Sequence, residues 1–137
     1  MKKIYFCASV TGGRENADIY AKIVKRLKEN YIVLTEHLAD PNLSSMGEGL
    51  SQEEIYRRDV DYLENADIVI AECSTASLGV GYELCYAEKL GLPTYVLFKN
   101  QDGKRLSAMI GGDKYFTVIY YDDLYRAIEE VIKIMEK

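Results

Sequence analysis

The sequence lacks most of what would point to metal, disulfide or nucleic-acid-coating chemistry. It has one histidine, His37, in 137 residues, and a single imidazole makes no metal cluster. No nucleophile elbow accompanies it, so a Ser/His/Asp hydrolase is excluded too. The three cysteines, Cys7, Cys73 and Cys85, are an odd number without a CxxC pair. All three lie in apolar segments and are expected to be buried, reduced thiols. No apolar run approaches the ~18 residues of a membrane span, and no secretory-type start is present. A soluble, cytoplasmic chain is the expectation. Basic residues are outnumbered, 17 to 22, for a net charge of −5. That balance argues against a surface that coats a nucleic-acid polymer. The GxxxxGK[ST] of a P-loop is missing. The acidic pair that a phosphate-accepting receiver would need after its first strand is replaced by Cys7 and Ala8.

What is present is an alternation of apolar runs and helical stripes, in a length suited to one domain over residues 1–137. Lys3 to Ala8 is a nearly continuous apolar run, as in a parallel strand covered on both faces. A loop, Ser9 to Arg14, follows with two glycines, two hydroxyls and a cation. Ala17, Tyr20, Ala21, Ile23, Val24 and Leu27 form the first helical stripe. Tyr31 to Leu34 reads as a second strand, and Thr35 to Leu50 as a long loop able to cover a site. Ser51 and Glu54 form a capping box for a helix carrying Ile55, Asp59, Tyr62 and Leu63. Asp59 thus shares a face with apolar residues, or is paired with Arg58 at its edge. Ile68 to Glu72 is the third strand and Gly79 to Leu90 the third helix, stopped by Gly91 and Pro93. Thr94 to Phe98 and Phe116 to Tyr120 are the fourth and fifth strands, separated by a short helical turn in Arg105 to Ile110. Asp122 is expected to cap the last helix, with Leu124, Ala127, Ile128, Val131, Ile132 and Met135 inside.

Strands alternating with helices imply an α/β, doubly wound, flavodoxin-like fold with a five-stranded parallel sheet in the order 2-1-3-4-5. Its ligand crevice lies beyond the carboxyl ends of strands 1 and 3. Two loops meet there, Ser9 to Arg14 and Cys73 to Gly79. The second, Ser77-Leu78-Gly79-Val80-Gly81-Tyr82-Glu83, is a strand-to-helix turn. Free amides at a helix start can hold a phosphate, and the positive end of the helix dipole favours an ionised Glu83. Taken alone, the same turn is an ordinary helix start with packing glycines. Asp59 and Glu83 are a pair of carboxylates of the kind that flank a glycosidic bond during cleavage. With Tyr5 on the central strand and a phosphate cradle beside them, the substrate class narrows to a nucleotide.

Five segments carry a family resemblance, in order over nearly the whole chain. They are Tyr5-Phe6-Cys7-Ala8-Ser9 with Gly12-Gly13-Arg14, then Leu34-Thr35-Glu36-His37, Asp59 with Tyr62-Leu63, Ser77 to Leu84, and Leu106-Ser107-Ala108-Met109-Ile110. Together they resemble the 2'-deoxynucleoside 5'-monophosphate N-hydrolases, relatives of the nucleoside 2-deoxyribosyltransferases. The resemblance implies a homodimer that releases free base and 2-deoxyribose 5-phosphate, with no cofactor and no metal. It implies that Glu83 attacks the anomeric carbon to form a glycosyl ester, that Asp59 protonates the leaving base, and that Tyr5 orients the nucleophile. Ser77 and the Gly79 amide would hold the 5'-phosphate, joined by Ser107 of the partner subunit. Ser9, Val10, Thr11, Gly12, Arg14, His37 and Met109 complete the implied substrate-binding set. Thr11 stands where the family commonly has an arginine, leaving Arg14 as the nearby cation. A base-exchanging transferase, a ribonucleotide hydrolase acting on a cytidine monophosphate, and a non-catalytic nucleotide-binding module are the alternatives. The serines at 77 and 107 favour the hydrolase over the transferase, which takes unphosphorylated nucleosides.

Overall fold

A computed structural model describes residues 1–10, 16–39 and 49–137. Five parallel strands form one sheet in the order β2-β1-β3-β4-β5. They are β1 (Lys3–Ala8), β2 (Ile32–Val33), β3 (Ile68–Glu72), β4 (Thr94–Lys99) and β5 (Thr117–Tyr121). Between and after them run α1 (Ala17–Leu27), α2 (Gln52–Asn65), α3 (Leu78–Leu90), the short α4 (Ala108–Gly111) and α5 (Leu124–Met135). The central register sets Tyr5 beside Val69, Cys7 beside Ala71 and Ala8 beside Glu72.

β1 and β3 are buried on both faces, which explains why their sequences read as unbroken apolar runs rather than alternating ones. Alternate residues feed two separate cores. Ile4, Phe6, Ile68 and Ile70 pack with α1 and α5, through Tyr20, Ile23, Val24, Leu27, Ile128 and Val131. Tyr5, Cys7, Val69, Ala71 and Cys73 pack with α2 and α3, through Leu63, Val80, Leu84 and Ala87. The two helices of the first face are also tied at their surfaces. Arg26 Nε donates to Glu129 Oε1 at 2.7 Å, and beyond the two helix ends the Tyr31 hydroxyl donates to Glu136 at 2.9 Å.

The helix ends follow from local chemistry. Ser51 and Glu54 form the expected reciprocal capping box, at 3.0 and 3.1 Å. Gly91 closes α3 with φ 74°, a left-handed conformation that glycine adopts without steric cost. Three expectations are corrected. The cap of α5 is Asp123, whose carboxylate accepts from the Tyr125 and Arg126 amides, while Asp122 instead accepts from Asn100 at 3.2 Å. Cys85 is exposed, unlike Cys7 and Cys73, because it lies on the outer side of α3. The second strand ends at Val33 because the Thr35 side chain takes over the ladder. Its Oγ1 accepts from the Phe6 N–H at 2.9 Å and donates to the Phe6 carbonyl at 2.5 Å.

Candidate active site

Tyr5 and Glu83 meet above the central strands. Tyr5 is 1 % exposed on β1, and its hydroxyl donates to Glu83 Oε2, one turn into α3. Burial, then the nearby Glu83 charge, pushes the Tyr5 phenol far above its ordinary value, with Cys7 and Asp59 adding to the same effect. Tyr5 is therefore a proton donor and not a base. The Cys7 thiol is pushed well up by complete burial and by Glu83, Cys73 and Asp59. Cys73 is raised to about 12 by burial, Glu72 and Glu83. Both thiols thus stay protonated and serve as packing around the carboxylates. These mutual influences put Tyr5, Cys7, Asp59 and Glu83 in one electrostatic cluster. Asp59 also has the edge pairing expected of it. Arg58 Nε donates to its Oδ1 at 3.0 Å, with both side chains about a quarter exposed, at 24 and 25 %.

The turn leading to Glu83 is built as a cradle. Ser77 caps α3, its Oγ accepting from the Val80 amide at 3.2 Å. A methyl group placed on Gly79 would lie 3.7 Å from Ser77 Oγ and 3.8 Å from Glu83 Oε1. Serine hydroxyl, open glycine backbone and carboxylate therefore surround one small space. Any side chain at 79 would occupy it. Beside this turn lies a cavity of about 880 Å³ running along α3 to the segment before β5, lined by Ser77, Leu78, Cys73, Arg105, Ser107 and Met109 among others. Ser107 caps α4 through the Met109 amide at 3.3 Å.

The remaining expected binding residues fall in three places. Ser9 is fully buried just after β1, and its Oγ has no hydrogen-bond partner among the described residues. Val10, half-buried, packs against the core beneath α1 and α5. Thr11, Gly12 and Arg14 lie outside the described residues. His37 sits half-buried in the single turn Glu36–Ala39 after β2. Met109 is 84 % exposed at the cavity mouth. Ser107 and Met109 thus share a cavity with Ser77, while Tyr5, Asp59 and Glu83 form the cluster next to it. Asn16, immediately before α1, donates from its Nδ2 to Thr75 Oγ1 at 2.9 Å and so ties the start of that helix to the second crevice loop. Among the described residues, no group of three or more His, Cys, Asp or Glu gathers to hold a metal ion, and no helix is long and apolar enough to cross a membrane.

Comparison with known proteins shows the family and agrees with the fold. A family model described as nucleoside 2-deoxyribosyltransferase matches residues 4–114. The chain is 49 % identical over 111 residues to a 5-hydroxymethyl-dUMP N-hydrolase of Rattus norvegicus, covering 80 % of this chain and 68 % of that protein. It is 41 % identical over 134 residues to the protein of the same name from Tetraodon nigroviridis, covering 96 and 94 %. The solved structure of a CMP N-glycosidase from Clostridium botulinum superposes with a TM-score of 0.70 over 96 % of this chain and 99 % of that one. At 15 % identity, that likeness speaks for the fold alone.

Proposed function

The chain belongs to the nucleoside 2-deoxyribosyltransferase family, and from that premise we propose that it hydrolyses the N-glycosidic bond of 2'-deoxynucleoside 5'-monophosphates. The products are the free base and 2-deoxyribose 5-phosphate. The observation that carries the reading is the Tyr5 hydroxyl bonded to Glu83 at the crevice, with Asp59 in the same cluster. Two relatives named for N-hydrolysis of a deoxynucleoside monophosphate, at 49 and 41 % identity, support it.

In the proposed first step a Glu83 oxygen attacks C1' of the sugar. The C1'–N bond breaks, its electron pair leaves with the base, and Asp59 supplies the proton the base takes up. Arg58 must release Asp59 for that transfer. In the second step water attacks C1', gives its proton to Asp59, and frees the Glu83 carboxylate. A 2-deoxy sugar suits this route, because no 2'-hydroxyl withdraws electrons from the developing oxocarbenium ion. Ser77 and the Gly79 amide hold the 5'-phosphate at the start of α3. Ser9, Val10, His37 and Met109 are the further residues assigned to substrate binding in this reading, together with Thr11, Gly12 and Arg14, which lie outside the described residues.

The working unit is a homodimer in which Ser107 of the partner subunit reaches the phosphate. Two observations favour this. Leu78, next to Ser77, is 97 % exposed, and Met109, next to Ser107, is 84 % exposed. Apolar side chains this exposed, flanking both serines, suit a surface covered by a second copy.

The test is to incubate the purified protein with 5-hydroxymethyl-dUMP, deoxyguanosine monophosphate, guanosine monophosphate and deoxyguanosine, following free base by chromatography. Release from a deoxynucleotide, lost in Glu83→Ala, is the expected result. Release from deoxyguanosine only when a second base is added identifies a transferase. No release from any of them, pyrimidine nucleotides included, overturns the enzymatic reading.

A further inference from the structure

Glu72 is the last residue of β3 and is completely buried. It lies on the sheet face opposite Tyr5, since Ala71 and Cys73 on either side of it belong to the core under α2 and α3. It therefore takes no part in the chemistry above. Its carboxylate accepts from the Ser74 backbone N–H at 2.8 Å, from the Ser74 hydroxyl at 2.9 Å and from the Tyr121 hydroxyl at 2.6 Å. The Ser74 oxygen in turn accepts the Lys99 N–H at 2.9 Å. One side chain thus ties the crevice ends of β3, β4 and β5 to the second residue of the loop that reaches Ser77. Thr75, the next residue, is held from the other side by Asn16.

Stability alone is a poor reason for a carboxylate here. A buried ionisable group costs free energy even when well paired, and apolar residues of similar volume are often as stable in its place. What an apolar residue could not do is grip Ser74 by both its amide and its hydroxyl. We propose that Glu72 is a positioning residue for the phosphate-holding turn: by fixing Ser74 against β4 and β5, it sets the path by which the chain enters Ser77 and Gly79. The proposal rests on the reading of Ser77 and Gly79 as the phosphate cradle. Burial raises the Glu72 carboxyl, while Tyr121, Ser74 and Lys99 pull it the other way, as expected of a carboxyl group held by donors rather than by water.

Two variants test it. Glu72→Gln offers one acceptor oxygen where the carboxylate offers two, and Ser74→Ala removes the hydroxyl bridge. Tyr121→Phe, which deletes a single bond and keeps its ring, is the variant to use if Glu72→Gln fails to fold. Each is assayed on a deoxynucleoside 5'-monophosphate and on the same deoxynucleoside without phosphate. Amide hydrogen exchange of residues 74–80 is measured in parallel. The expected result is a KM for the nucleotide raised about tenfold with kcat nearly kept, little change for the nucleoside, and faster exchange confined to that turn. Equal losses on both substrates, or unchanged kinetics with unchanged exchange, overturn the proposal. If the wild-type protein cleaves no nucleotide, the functional reading has failed, and exchange alone decides the positioning: faster exchange confined to 74–80 supports it, and unchanged exchange overturns it.

Discussion

Replacing Tyr5 by phenylalanine deletes one oxygen from the site and leaves the ring in its place in the core. That oxygen donates to Glu83 Oε2, and the phenol's strongly raised pKa keeps it a donor throughout the working range. Its value depends on the charge of Glu83. In the proposed route, forming the glycosyl ester discharges the carboxylate, so the hydrogen bond would weaken during the first step. Hydrolysing the ester regenerates the carboxylate, so the same bond strengthens during the second. A hydrogen bond to a charged group contributes ~1.5–3 kcal/mol. At ~1.36 kcal/mol per tenfold in rate, its loss slows ester hydrolysis by roughly 10- to 150-fold. Ester formation is hindered less, through looser orientation of Glu83 alone. Tyr5→Phe should therefore release about one equivalent of base per site in a burst, followed by a slow steady state. Rapid-quench measurement of free base from a deoxynucleotide, with the covalent adduct sought by mass spectrometry, reads both phases. Unchanged turnover, or slower release without a burst or adduct, would refute the reasoning.

Four other outcomes follow from the same geometry. Gly79→Ala should keep or slightly raise thermal stability, since the methyl meets only ordinary contacts and alanine gains up to ~1 kcal/mol over glycine in a helix. It should nevertheless raise the KM for the nucleotide, and a KM equal to that of the wild type would remove Gly79 from the cradle. Ser107→Ala and Glu83→Ala proteins, each impaired, should regain part of their activity when mixed and allowed to exchange subunits. No recovery after confirmed exchange would return Ser107 to its own chain. Burial holds the Glu72 carboxyl above its ordinary 4.5, so the stability linked to its proton is complete below about pH 4.5 and is lost as pH rises through the folded value. The melting temperature of the wild type should accordingly fall relative to Glu72→Gln from pH 4.5 upward, and a difference that stays constant with pH would contradict the assignment. Thr35→Val leaves the Phe6 amide and carbonyl without their hydroxyl partner, and urea titration should show a loss of ~1–3 kcal/mol. A loss below a few tenths would mean that water replaces the hydroxyl.

The strands and their order were legible because parallel, doubly covered strands must be apolar runs, and β1, β3 and β4 are just that. Helix ends were legible where one residue type forces them, as at Ser51 with Glu54 and at Gly91. They were not where two candidates adjoin. Asp122 and Asp123 are chemically alike, and only the exact start of α5 decides which carboxylate meets its free amides. Cys85 was misplaced because α3 carries apolar residues around its whole girth. Leu78 is as hydrophobic as Val80 and Leu84, and Tyr82 brings a large aromatic ring, yet both are exposed. Periodicity therefore could not show which side was core. The shortened β2 depends on a side chain imitating a backbone, which no hydrophobic pattern records. Glu72 did leave a signal, an acidic residue closing a wholly apolar strand. Its partner Tyr121 is 49 residues away, and only the folded sheet brings the two together.

The meeting of Tyr5, Asp59 and Glu83 has a simpler cause than their scattered positions suggest. From β1 the chain moves one way across the sheet to β2, then the opposite way through β3, β4 and β5. Right-handed crossovers put connections that run in opposite directions on opposite faces. The helix before β3 and the helix before β4 therefore share a face, and α1 takes the other. Asp59 is carried by α2 and Glu83 by α3, so handedness alone brings both carboxylates to the same side. Parity along β1 supplies the third member. Side chains alternate across a strand, so Tyr5 and Cys7 face α2 and α3 while Phe6 and Ala8 face α1. A shift of β1 by one residue would bring Phe6 to the carboxylates and turn the tyrosine away. Topology selects the face, and the two-residue repeat of one strand selects which side chain serves it.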